Sequence, residues 1–256
     1  MNYRVFYITV LAAIFLTAGI ISAQETGEAK FKKGTELFSS GNYKEALDLW
    51  VEIYNAGYRS AELSYNIGNA YFKLNNIPAA ILFYERAWLL KPADEDISYN
   101  LNIARTLIVD RLEEIPELFF VKWYNLVSLI LPSNTWARIS IISFVICLIL
   151  LSVYFYSSVY RRKVLGFWLA VLFFLASGVS LALSARNKTL VHDSRKAIVY
   201  TPSVNGKSSP DSSGTDLFVL HEGTKVTVED EVGDWYEVRL SDGNKGWLPA
   251  NTLEII

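Results

Sequence analysis

The chain has 256 residues, 52% of them hydrophobic against 20% charged, and a mean hydropathy of +0.23, an apolar excess that calls for membrane segments. The net charge is −2, and from Asp193 onward eleven acids face six bases, which excludes a nucleic-acid backbone as partner. Cys147 is the single cysteine and allows no intrachain disulfide; His192 and His221 stand far apart with no cysteine beside them and read as surface or loop histidines, so no metal or cofactor site is expected.

The N-terminus carries Arg4, an apolar run from Val5 to Ile21, and the small-residue exit Ile21-Ser22-Ala23. That order is a secretory signal peptide over residues 1–23, with an uncleaved anchor as the alternative. Either form sends the rest of the chain across the membrane.

Residues 27–113 repeat themselves. Gly34 recurs as Gly68, Ala46 as Ala80, Trp50 as Tyr84 and Ser64-Tyr65-Asn66 as Ser98-Tyr99-Asn100, each 34 residues on. A period of this length is that of a helix–turn–helix solenoid, in which stacked pairs leave a groove for another chain. The units are 27–60 and 61–94, followed by a capping helix over 95–113. In the second unit Ile67-Gly68, Tyr71, Ala80, Tyr84, Ala87 and Pro92 alternate small and large residues so that two helices approach closely around tyrosine rings. This unit resembles the tetratricopeptide repeat family. The first unit keeps Gly34, Leu37, Ala46 and Trp50 but departs at Lys33, Ile53 and Tyr58. The resemblance implies a protein-binding groove along the first helices, lined here by Phe38, Tyr65, Asn69, Phe72, Lys73 and Tyr99. The alternative is that these side chains pack on a neighbouring helix.

Pro116 ends the helical region, and residues 116–132 form an interfacial amphipathic segment. Lys122, Asn125 and Ser128 share one helical face, opposite Phe119, Phe120, Trp123, Tyr124 and Val127. A helix docked on the repeats is the competing reading. Residues 139–160 and 164–184 are transmembrane helices, each long enough for ~30 Å of hydrocarbon. Arg161-Arg162-Lys163 joins them as a turn, placed in the cytoplasm by its charge. Both ends of the hairpin then lie on one side, outside the cytoplasm.

A polar linker leads to short strands near 197–200, 217–220, 225–229, 235–240 and 246–249, separated by turn signals such as Glu222-Gly223 and Asp242-Gly243. Asn205 to Gly214 reads as a loop. Glu222-Gly223-Thr224, Gly233-Asp234-Trp235-Tyr236 and Gly246-Trp247-Leu248 resemble the bacterial SH3-like domain, which covers residues 196–256. The resemblance implies binding of cell-wall peptides or of protein partners. Trp235, Tyr236 and Trp247 are its candidate ligand face, with barrel core as the alternative reading.

The fold class is therefore a multidomain membrane protein: an α-solenoid, a two-helix transmembrane hairpin and a small all-β SH3-like barrel. No nucleophile–base or metal constellation can be assembled, so no enzymatic activity is expected. The order of parts resembles the BatE family of the Bacteroides aerotolerance operon. That resemblance implies a scaffold in the bacterial inner membrane, with both folded domains periplasmic. Its partners would be von Willebrand A-domain membrane proteins and a MoxR-type ATPase. A peptidoglycan-binding sensor acting through the SH3-like domain is the alternative function.

Overall fold

The computed structural model describes residues 27–112, 116, 118–193 and 195–256; the expected signal peptide lies outside them. The helical part consists of α1 (27–39), α2 (Tyr43–Asn55), α3 (Ala61–Lys73), α4 (Ile77–Leu90) and α5 (Glu95–Thr106). The 34-residue offset recurs in the structure. Gly41 and Asn75 both take positive φ after α1 and α3, and the following amides close the same pattern: Asn42 N to Leu37 O and Asn76 N to Tyr71 O, each 2.9 Å. Ser60 and Asp94, also 34 apart, cap α3 and α5 by accepting from Leu63 N and Ile97 N. A Cβ on Gly34 would stand 2.5 Å from the Trp50 ring, and one on Gly68 would stand 2.6 Å from Tyr84, so each glycine sets how closely its helix pair approaches. Trp50, Ile67, Ala80, Ile81 and Tyr84 fill the core between the helices.

The expected capping helix stops at Thr106. Beyond it residues 107–112 run as a strap, with Ile108 and Leu112 packed inward and Leu107 and Val109 exposed. Next comes α6 (Phe119–Leu129), which packs on α8 rather than on the repeats.

Helices α7 (Ser133–Tyr156) and α8 (Tyr160–Lys188) pack against each other, and among the described residues they are the ones long and apolar enough to cross a membrane. Ser140 and Ser177 exchange hydroxyl-to-carbonyl hydrogen bonds of 2.9 and 3.0 Å between them. Gly166 lies so close to α7 that a Cβ would stand 3.2 Å from Leu150 O. Arg161-Arg162-Lys163, expected as the connecting turn, forms the first turn of α8 instead. The chain reverses at residues 157–159, where Ser157 Oγ accepts from Val159 N. Arginine and lysine favour helix, whereas serines and a β-branched valine yield to the bend.

The C-terminal part is one antiparallel sheet in the order β3-β2-β6-β5-β4-β1-β7. Its strands are β1 (Lys196–Val199), β2 (Ser203–Lys207), β3 (Asp216–His221), β4 (Lys225–Val232), β5 (Trp235–Arg239), β6 (Lys245–Pro249) and β7 (Leu253–Ile255). The loop expected from Asn205 is shorter than that: β2 runs to Lys207, because Gly206 lets the Phe218 ring of β3 lie against the backbone.

Strand β1 belongs to both parts. Ala197 and Val199 point into the sheet core, while Ile198, on the opposite face by strand alternation, is buried in the helical core. Around it the two parts are clamped by polar contacts. Glu85 of α4 is almost completely buried and accepts from Lys225 of β4 at 2.6 Å and from Arg105 of α5 at 2.5 Å. Burial pushes its carboxyl up, but the charges of Lys225 and Arg105 overcome this and hold it below the ordinary range. Arg86 donates to Ile255 O at 2.7 Å.

Asp110 of the strap accepts from His221 N, His221 Nδ1 and Thr224 Oγ1 at 2.6–2.7 Å. His221 is thus not a free loop histidine. Burial opposes ionisation of Asp110, but the Thr224 and His221 hydrogen bonds prevail and lower its pKa. Gly223, at φ +87°, completes the contact; a Cβ there would stand 2.5 Å from Ile108.

Lys225→Ala leaves a buried carboxylate with one cation and should destabilise the docked state by about 3 kcal/mol. The check is faster hydrogen exchange in β1 together with a lower unfolding temperature of the full chain. Both clamp carboxyls bind fewer protons folded than unfolded, so their contribution is present above the usual carboxylate pKa of about 4 and is lost as pH falls through the lowered range. Protection of the β1 amides, taken as the intrinsic over the observed exchange rate, should therefore fall on acidification, and less so in Asp110→Asn.

Candidate functional site

The first helices α1, α3 and α5 form one layer, and a recess of about 280 Å³ opens in it. On α3, Tyr65, Asn69, Phe72 and Lys73 recur at helical spacing on one face, while Leu63, Ile67 and Ala70 occupy the other and are buried. Phe38 reaches the recess from the end of α1, Asn100 and Ile103 from α5, and Tyr84 from α4 behind.

A hydrogen-bond chain forms its floor. Tyr84 Oη donates to Asn69 Oδ1 at 2.8 Å, and Asn100 Nδ2 donates to both Asn69 Oδ1 and Tyr65 Oη at 2.9 and 2.8 Å. Burial pushes both tyrosine hydroxyls up, so they stay neutral. Phe38 and Phe72 supply apolar contact, and Lys73, exposed at the end of α3, supplies a cation. Such a recess suits a chain segment with an apolar side chain flanked by polar groups.

Four of the six expected groove residues, Phe38, Asn69, Phe72 and Lys73, line this recess. Tyr65 joins through Asn100. Tyr99 does not: it is 67% exposed outside the lining. Its equivalent Tyr65 is covered because α5 follows α3 in the stack, whereas among the described residues no further helix stacks on α5. Asn100 and Ile103 take part in its place. The signal for them was available, since Ile103 stands 34 residues after Asn69 and Asn100 the same distance after Asn66.

The second expected surface divides. Pairing of β5 with β6 sets Trp235 opposite Pro249 and Glu237 opposite Trp247, so the two tryptophans share a half-exposed face. Tyr236 sits opposite Leu248 and packs on the sheet core, with the Arg195 guanidinium 5.4 Å from its ring centre. It therefore lies on the other side of the sheet from the tryptophans. Beside them Glu229, at a bulge in β4, holds Arg239 and Lys245 at 2.5 Å.

Residues 203–254 match the bacterial SH3 domain family. No curated protein matches the chain. The matched stretch of the SH3 domain omits β1, the strand that lies between β4 and β7 and carries Ile198 into the helices.

Because Tyr236 packs on the core and Trp235 lies on the opposite face, Tyr236→Ala should destabilise the SH3 domain by about 3 kcal/mol and Trp235→Ala by about 1 kcal/mol. Denaturant unfolding of the full chain in detergent, followed by hydrogen exchange in β5, measures the difference.

Proposed function

We propose that the chain is a non-enzymatic scaffold of the bacterial envelope, anchored in the cytoplasmic membrane by α7 and α8, which holds a segment of another envelope protein in the α1–α3–α5 recess. The observation that carries this reading is the side on which the SH3 domain docks. It sits against α4 and the end of α5 through Ile81, Glu85, Arg86 and Arg105, leaving the recess open on the first-helix layer. The repeats would act as the tetratricopeptide units that they resemble.

The same contact supports the topology we propose. The helical part precedes the hairpin and the SH3 domain follows it, and their docking is what a hairpin with two crossings requires. With Arg161, Arg162 and Lys163 on the cytoplasmic side, both folded parts face outward. The order of parts resembles the BatE family. By that resemblance the partners would be von Willebrand A-domain membrane proteins working with a MoxR-type ATPase, in aerotolerance. A photoreactive residue in place of Phe72 should crosslink to an envelope protein in native membranes, and Lys73→Glu should reduce the yield about tenfold. Crosslinks confined to lipid or to the chain itself would overturn the groove assignment.

A second reading is favoured by the family match and by the shared face of Trp235 and Trp247: the SH3 domain binds peptidoglycan. The full chain in detergent should then be retained on purified sacculi, with Trp235→Ala plus Trp247→Ala released. Equal retention of that variant and the parent would exclude this face.

A further inference from the structure

Helix α6 is turned inside out for a water-exposed helix. Its uncharged polar groups face the protein: Tyr124 Oη donates to Ala182 O at 2.8 Å, Asn125 Oδ1 accepts from Arg186 Nε at 2.8 Å, and Ser128 is fully buried. The Ser128 carbonyl accepts from Asn187 Nδ2 at 3.0 Å and from Trp136 Nε1 at 3.1 Å. Opposite, Phe119, Phe120, Trp123, Leu126 and Ile130 are each at least 55% exposed. Leaving so much contiguous apolar surface in water is costly, and something must cover it.

The place of α6 says what that is. It touches α8 between Ala182 and Asn187, where the apolar stretch of that helix ends, and only residues 130–132 separate it from α7. Its exposed face is therefore continuous with the outward apolar surface of the hairpin, which includes Ile141, Val179 and Leu181.

The charged residues of this segment have one sign. From Leu118 to His192 the sequence contains no Asp or Glu; Glu117 precedes the stretch and Asp193 follows it. Lys122, Lys188 and Arg138 are exposed, and none of them, nor Arg186, meets a carboxylate among the described residues. Arg186 spends its Nε on Asn125 and keeps its terminal guanidinium nitrogens for another acceptor. Arg138 starts further into α7 but is long enough to snorkel to the boundary.

We infer that α6 and these four cations form a binding site for anionic phospholipids at the outer boundary of the bilayer, the aromatic face entering the acyl region and the cations meeting phosphates. This rests on the membrane-anchor reading above. A zwitterionic headgroup brings its own cation to the phosphate; cations that meet no carboxylate among the described residues favour headgroups that lack one.

The full chain, in a Cys147→Ser background, is reconstituted into vesicles of phosphatidylcholine mixed with phosphatidylglycerol. It carries a spin label at Trp123→Cys or, as control, at Leu148→Cys. Both labels should be relaxed by oxygen and shielded from an aqueous nickel chelate. A shielded label at 148 with an exposed label at 123 overturns the α6 site while leaving the anchor intact, and covering of position 123 by protein in place of lipid would show as shielding from oxygen as well. Exposure of both labels overturns the anchor itself. Lipids retained after gentle detergent extraction should be enriched several-fold in phosphatidylglycerol over the input, and Lys122→Gln with Lys188→Gln should abolish that enrichment. Retention at the input ratio would overturn the anionic preference.

Discussion

The Glu85 carboxylate is the point on which the architecture turns. It is removed from water inside α4, and a charge so placed is tolerable only with partners in position. One partner, Arg105, comes from the next helix; the other, Lys225, comes from a strand 140 residues further along the chain. The helical part alone would leave the acid half-compensated. Docking of the sheet completes its coordination and at the same step buries Ile198, so the polar and apolar requirements are met by one arrangement. The two apolar helices lie between these partners in sequence, and the clamp therefore ties the two ends of the hairpin together.

This arrangement divides the helical part into a back and a front. The second-helix side, through Ile81, Glu85 and Arg86, is taken by the SH3 domain and its β1 strand. The first-helix side keeps its recess, whose floor is joined to the core by the chain Tyr84–Asn69–Asn100–Tyr65. Asn69 is thus as much a structural residue as a contact residue. Its carbonyl oxygen is already occupied, which leaves the aromatic walls and Lys73 as the groups most available to a partner.

Much of this was legible in the residues. The 34-residue offset carried over to the caps, the positive-φ positions and the glycine–aromatic contacts, because each is a local requirement met by one residue type. Alternation along β5 likewise separates Tyr236 from Trp235 and Trp247, although grouping the three as one ligand face overlooked it. Other features depended on distant neighbours. Tyr99 has the same local sequence as Tyr65, yet only the latter has a helix stacked over it. Asn125 and Ser128 read as the wet face of an amphipathic helix, and the end of α8 turned that face inward through Arg186 and Asn187.

What the sequence determined by itself is what short-range stereochemistry and composition can express: the repeat period, the apolar hairpin, the strand-and-turn rhythm of the SH3 domain and the absence of acids from Leu118 to His192. Tertiary structure alone decided which of these parts touch. In the sequence, Lys196 to Val199 reads as one more short strand of a small sheet. That it is buried on both faces, and that Glu85, Asp110 and His221 form a clamp around it, depends on side chains brought together from positions more than a hundred residues apart. No periodicity within a segment encodes such a meeting; it arises because a buried carboxylate and an apolar strand can each be satisfied in the same docked arrangement.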